Sequence, residues 1–191
     1  CIACCSPATP SSDDPVARQV VVHGVFVEIL SLGVLLTGRP GVGKSELALE
    51  LIARGHRLVA DDATELALLG PDDLCGGCPP LLQDFLEVRG LGVLDIRAMF
   101  GEAAIKRRKR LGLIIHLLRP DDPALPEPNR LSGNRGTREI LDVPVPEITL
   151  PVAPGHHLAV LVETACRDQL LRMQGYCSDQ ILAARQAAGA A

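Results

Sequence analysis

The 191-residue sequence predicts a single α/β domain: a mixed β-sheet, a central helix that follows a glycine-rich loop, and helices at the C-terminal end. Three observations predict it. Short runs rich in Val, Ile and Leu alternate with tight-turn residues. One of these runs feeds the loop Gly38–Ser45, which opens onto an amphipathic stretch. The C-terminal end carries two segments with helical periodicity.

Residues 1–15, CIACCSPATPSSDDP, are small, polar and proline-containing and read as a disordered leader, which leaves 16–191 as the domain. Val20–Val22, Val25–Leu30 and Val34–Leu36 are strands broken by His23-Gly24 and Ser31-Leu32-Gly33. From Gly43 to Arg54, Leu47, Leu51 and Ile52 recur at helical spacing, and Gly55 is placed to stop that helix. Leu58–Ala60 and Glu65–Leu69 are short strands with Asp61-Asp62 between them. Leu86–Val88 and Gly92–Asp95 form two more around Arg89-Gly90, and Leu113–Leu117 is an apolar run of strand length. Arg119–Arg130 holds four prolines, which excludes regular structure. Val143–Val152 alternates Val or Ile with Pro and reads as an edge strand or an extended crossing segment. Helices are expected over His157–Met173 and Ser178–Ala188.

Apolar residues make up 47% of the chain and charged residues 22%, the balance of a globular protein. With aromatics at 2%, the core must come from Leu, Val, Ile and Ala. Few stacking platforms and a net charge of −4 argue against nucleic-acid binding. No apolar run reaches the length of a membrane span, and no secretory signal is visible, so a cytoplasmic protein is expected. Two of the seven-cysteine set's pairs, Cys1/Cys4 and Cys75/Cys78, have C-x-x-C spacing and could supply halves of a zinc site. The plainer reading puts the first pair in the leader and the second in a Gly/Pro-rich turn, CGGCPP, as reduced thiols. Lys106–Arg110, KRRKR, reads as a solvated loop, or more sharply as an electrostatic contact to an acidic face of a partner protein.

Residues 38–45 read Gly38-Arg39-Pro40-Gly41-Val42-Gly43-Lys44-Ser45 and match G-x-x-x-x-G-K-S/T at every fixed position. The glycines let the backbone curl so that successive N–H groups point at phosphates. The helix N-terminus adds about half a positive charge. Lys44 supplies a mobile cation, and the Ser45 hydroxyl is a hard oxygen suited to Mg²⁺. A nucleoside triphosphate with Mg²⁺ is the expected ligand. Asp61-Asp62 ends a strand, where one acid can approach the metal and the other the substrate, though the pair is as often a plain turn. Asp72-Asp73 and Asp121-Asp122 look like solvated loops.

The motif has company. His23-Gly24-Val25 precedes it. Arg54-Gly55-His56-Arg57-Leu58-Val59-Ala60-Asp61-Asp62, the block LEVRGLGVLDI at 86–96, Asp142-Val143-Pro144-Val145-Pro146 and Met173-Gln174-Gly175-Tyr176 follow. In this order, from about Val20 to Ile181, they resemble the catalytic domain of bacterial HPr kinase/phosphorylase. The resemblance implies a P-loop kinase domain with a phosphoenolpyruvate carboxykinase-like fold. It implies ATP- and Mg²⁺-dependent phosphorylation of a serine on HPr, the phosphocarrier of the sugar phosphotransferase system. It also implies phosphorolysis, in which inorganic phosphate removes the phosphoryl group as pyrophosphate, and a homo-oligomer.

Site roles carry over position by position. Gly38–Ser45 would bind ATP, with Lys44 on phosphate and Ser45 on Mg²⁺. Asp62 matches the general base that becomes the general acid in reverse, Asp61 would assist at the metal, and Glu87 matches a Mg²⁺ ligand. His23 and Arg130 match catalytic positions. Residues 86–95 match the block used in both directions, and Pro151–His156 the segment tied to dephosphorylation. Where the family usually has Gly-Arg, this chain has Gly155-His156, which puts phosphorolysis in doubt more than kinase activity. With no counterpart of the separate N-terminal domain of many members in this sequence, the resemblance reads as one to a short form. Two other readings compete: a P-loop small-molecule kinase, and a non-catalytic nucleotide-gated module. Retention of Lys44, Asp62 and Glu87 together argues against the second.

Overall fold

The structure, a computed structural model, describes residues 18–127, 129–153 and 155–189. The leader and the Cys1/Cys4 pair lie outside these residues. The chain runs through β1 (Gln19–His23), β2 (Val25–Ile29), β3 (Leu32–Gly38), α1 (Lys44–Ala53), β4 (Arg57–Ala60), β5 (Ala63–Gly70) and β6 (Asp73–Gly77). It continues with β7 (Phe85–Val88), β8 (Gly92–Asp95), the short α2 (Ile96–Phe100), β9 (Arg108–Leu118), β10 (Arg135–Ile140), β11 (Val143–Pro151), α3 (Leu158–Met173) and α4 (Ser178–Gly189).

The principal sheet is mixed, in the order β1-β5-β6-β9-β3-β2-β4. The eleven-residue β9 organises it. One edge pairs parallel with β3. The other pairs antiparallel with β6 through Arg108–Arg110 and then parallel with β11 through Ile114–Leu118. Strand β10 closes that side against β11. The β7–β8 hairpin stands apart as a two-stranded sheet.

Apolar residues cover both faces. On one, Val34, Leu36, Leu113 and Ile115 pack against Leu47, Leu51 and Ile52 of α1 and Ala159, Val162 and Cys166 of α3. On the other, Phe26, Leu35 and Ile114 meet Leu66, Leu74 and Val145 as the β1-β5-β6 wing curls over. Gly76 makes that curl possible, because a Cβ there would lie 2.4 Å from the Phe26 ring. Glu28 is buried in β2 between Arg57 (2.6 Å) and Lys109 (2.7 Å), as a buried carboxylate requires.

Three sequence expectations change, and one strand is new. Cys75–Gly77 is the end of β6 and not a turn; the turn begins after it. Cys78, Cys166 and Cys177 are free thiols, in line with the plainer reading, and no cluster of three or more His, Cys, Asp or Glu side chains suited to a metal occurs among the described residues. The basic run is largely structural: Arg108–Arg110 opens β9, Lys109 holds Glu28, Arg110 holds Asp73 (3.3 Å) and Arg107 holds Asp84 (2.9 Å). Strand β11 is internal, flanked by β9 and β10. Its prolines are accommodated because Pro144 and Pro146 precede Glu147, where pairing with β9 begins, so their missing N–H groups leave no ladder bond unmade on that side. Strand β10 has no counterpart in the sequence reading.

Candidate functional site

The loop between β3 and α1 is shaped by three glycines with positive φ: Gly38 (+142°), Gly41 (+75°) and Gly43 (+100°). Gly43 hands the chain to α1 in the left-handed conformation, and the first helical residues are Lys44 and Ser45. Gly38 is pressed against β9, where a Cβ would sit 2.5 Å from the Leu117 carbonyl oxygen. Lys44 folds back along the loop, its Nζ donating to the carbonyls of Gly38 (3.1 Å) and Arg39 (3.4 Å). A glycine-lined loop with exposed amides, a helix N-terminus and a tethered lysine makes an anion cradle.

The acid pair lies at the β4–β5 turn. Asp62 is the centre of a three-residue turn closed by the Ala63 N–H on the Asp61 carbonyl (2.7 Å). Its φ of +57° is a conformation that costs a non-glycine residue roughly 1–3 kcal/mol and is concentrated at functional sites. His23 at the end of β1 places Nδ1 3.7 Å from Asp62 Oδ1, and the Gly24 N–H donates to the Asp62 carbonyl (3.1 Å). Asp61 points the other way and accepts the backbone N–H of Glu87 at 2.8 Å. Burial raises the Asp61 pKa, against the pull of that amide. The bond ties the β7–β8 hairpin to the acid turn and brings the Glu87 carboxylate to the same end of the domain.

Sequence reasoning missed several neighbours. The Arg89 guanidinium at the hairpin tip lies 3.4 Å from where a Gly41 side chain would begin, so it covers the phosphate loop. Asp122, read as a solvated loop acid, is instead buried; its side chain is 4% exposed, accepts the Ala124 N–H (3.0 Å) and sits 3.5 Å from Arg39 Nε. Thr37, His116 and Arg138 join His23, Gly38, Arg39 and Asp122 around a cavity of about 440 Å³ beside the loop. Of these, Arg89 fell within the 86–95 block and Thr37 just before the glycine motif, whereas His116, Arg138 and the burial of Asp122 carried no signal. Arg130 lies exposed at a turn and lines neither this cavity nor the one of about 360 Å³ beneath the same connection. His156 is likewise exposed.

The donor set suits Mg²⁺. The Ser45 hydroxyl and the Glu87 and Asp61 carboxylates, the oxygen donors the sequence nominated, are of the kind a hard cation takes; no group of three or more acidic, His or Cys side chains suited to a metal occurs among the described residues. Mg²⁺ is typically held by one or two carboxylates with substrate phosphates and retained waters.

Together these features define a mixed-sheet α/β domain with a glycine-rich strand–loop–helix turn and an acid pair at the carboxyl end of its strands. The chain belongs to the HPr Serine kinase C-terminal domain family, whose model matches residues 14–186. It is 59% identical over 160 residues to HPr kinase/phosphorylase of Stenotrophomonas maltophilia (strain K279a), covering 83% of this chain and 51% of that protein. The same figures hold for HPr kinase/phosphorylase of Xanthomonas campestris pv. campestris (strain B100). The chain thus spans about half the length of these curated relatives. Its fold matches the solved structure of the Hpr(Ser) kinase/phosphatase from Coxiella burnetii with a TM-score of 0.76 and 36% identity, over 85% of this chain and 98% of that one. No helix among the described residues is long and apolar enough to cross a membrane.

Proposed function

We propose that this chain carries the catalytic site for ATP- and Mg²⁺-dependent phosphorylation of a serine on HPr, and for the reverse phosphorolysis, within the phosphotransferase system of the cytoplasm. The observation that supports it most is that the β7–β8 hairpin bridges the acid turn and the phosphate loop, through the 2.8 Å bond from the Glu87 N–H to Asp61 and through Arg89, 3.4 Å from where a Gly41 side chain would begin.

Ser45, Glu87 and Asp61 would hold Mg²⁺. The chemistry a bound Mg²⁺ supplies is neutralisation of charge on the phosphate oxygens. In the forward direction the seryl Oγ attacks the γ-phosphorus, its proton passes to Asp62, and the bond to the ADP oxygen breaks. In reverse, an oxygen of inorganic phosphate attacks the phosphoseryl phosphorus, the P–Oγ bond breaks, Asp62 returns the proton to Oγ, and pyrophosphate leaves. Lys44 moves from the loop carbonyls to the phosphates and stabilises their charge. His23 orients Asp62 from 3.7 Å. Arg89, over the loop, contributes a cation to the transferring group, and Arg130 is assigned the same role on the resemblance alone. Self-association, which the resemblance implies, is part of the same reading.

The test is to incubate the chain with ATP, Mg²⁺ and purified HPr and to weigh the carrier by mass spectrometry. One added phosphate is expected, absent when the acceptor serine is replaced by Ala. Phosphate on a small-molecule acceptor, with HPr unmodified, would overturn the assignment in favour of a small-molecule kinase.

A further inference from the structure

Side by side on β3 and β9, Thr37 and His116 are register partners. Their side chains meet, with Thr37 Oγ1 2.9 Å from His116 Nδ1. Thr37 is 4% exposed, so its hydroxyl depends on this partner. The bond lies one residue before Gly38, whose carbonyl holds Lys44 and whose α-carbon is pressed against β9. A half-buried titratable side chain, reaching from the cavity wall, therefore grips the strand at the point where the phosphate loop departs, and no role so far assigned uses it.

We propose that His116 is a positioning residue of the phosphate loop, acting through Thr37 to set the backbone at Gly38 and Arg39 from which Lys44 is released to the nucleotide.

The charge environment indicates which form of the ring does this. Facing His116 are Arg138 on β10, Glu147 on β11, Asp122 after β9, and Arg39 and His23 across the cavity. Arg138 is occupied by Glu147 through Nε (2.6 Å) and Nη2 (2.9 Å), and Asp122 lies close to Arg39. Neither acid is therefore reserved for an imidazolium. Burial, with the Arg138 charge, lowers the His116 pKa below its ordinary value of 6.5. In the neutral tautomer that leaves Nδ1 unprotonated, the one this proposal assigns, the ring accepts a hydrogen bond from the Thr37 hydroxyl. Protonating Nδ1 turns the acceptor into a donor and forces that hydroxyl to find another acceptor in a buried place. The grip is therefore complete at neutral pH and weakens as the pH falls.

The inference rests on the nucleotide-binding reading for its purpose, but two measurements separate them. The first uses the ligand-free protein. Amide hydrogen exchange at Gly38–Lys44 should accelerate about fivefold in His116→Leu, the loss of one neutral hydrogen bond. Exchange should stay within about twofold in His116→Asn, whose amide oxygen can replace Nδ1 as acceptor. Thr37→Val should match His116→Leu, and the double variant should be no worse than either, because both break the same bond. Additive effects of about 25-fold, or loop exchange unchanged in His116→Leu, would overturn the proposal. Amides of α3, followed in the same samples, show whether a variant has loosened globally; His116→Asn and Thr37→Val, near-isosteric, keep the test valid if His116→Leu does not fold.

The second measurement titrates methylanthraniloyl-labelled ATP with Mg²⁺ from pH 7.5 to 5.5. Wild-type affinity should fall at the acid end, and His116→Asn should hold its neutral-pH affinity across the range. An acid fall of the same size in His116→Asn would overturn the pH dependence assigned to His116. Absence of wild-type binding would overturn the nucleotide reading and leave the exchange experiment to decide the role of His116.

Discussion

Glu163→Gln should loosen the joint between the phosphate-loop helix and α3. Glu163 on α3 accepts Arg54 Nε at 2.9 Å and Nη2 at 2.7 Å, and lies 2.9 Å from His56 Nε2. These partners stand just past the end of α1, on either side of the Gly55 that stops it. The Arg54 hydrogen bond is the main cause that pulls the Glu163 pKa from 4.5 down to about 2. That difference sets an upper bound of roughly 3 kcal/mol at neutral pH. Arg54 is 40% exposed, so solvent screening reduces the contribution to about 1–2 kcal/mol. The folded-state value is the lower one, so the contribution is complete above about 4.5 and is lost as the pH falls towards 2, with about two-fifths left at pH 3. Thermal and urea unfolding of wild type and Glu163→Gln at pH 7 and pH 3 measure it. The variant should melt about 5 °C lower at pH 7, with a gap less than half as large at pH 3. Equal gaps at the two pH values, or none at pH 7, would refute the electrostatic account.

Lys44→Ala should abolish phosphoryl transfer while the melting temperature stays within about 2 °C, since the Lys44 ammonium hydrogen-bonds to the loop carbonyls of Gly38 and Arg39; near-normal turnover would remove it from the site. Glu87→Gln should weaken the Mg²⁺ dependence and lower the rate with circular dichroism unchanged, and a Mg²⁺ titration identical to wild type would exclude Glu87 as a ligand. Asp62→Asn should damage kinase and phosphorolysis together, because an amide can neither take nor return the proton; loss in one direction only would refute a shared acid–base. His156→Arg should raise phosphorolysis relative to kinase activity by about threefold, the scale of an exposed charge contact, and an unchanged ratio of initial rates would show that His156 does not meet phosphate.

The glycine loop and its helix were legible because their determinants are contiguous. Three glycines, a lysine and a serine at fixed spacing encode a backbone path that needs no distant partner, and Gly38, Gly41 and Gly43 indeed take positive φ. The β7–β8 hairpin was legible for the same reason, with its turn at Arg89-Gly90. The strands at 73–77 and 135–140 were not. Their sequences, DLCGG and RGTREI, are short and carry glycine or charge, and they become strands because β9 and β11 offer edges to pair with. Likewise KRRKR looks solvated until β9 and its neighbours bring Glu28, Asp73 and Asp84 to three of its side chains.

The site divides along the same line. By itself the sequence nominated candidates for the chemistry: Lys44 and Ser45 in the glycine loop and Asp61 and Asp62 at a strand end from the residues themselves, Glu87 and His23 through the family resemblance. Tertiary structure alone decided that Asp61 is held by the Glu87 amide, that Arg89 covers Gly41, that Asp122 is buried behind Arg39, and that Thr37 meets His116, 79 residues away. The physical reason is register. Neighbours across a sheet depend on the pairing of whole strands, and a slip of one residue on β9 would turn His116 to the opposite face and leave the Thr37 hydroxyl without its partner.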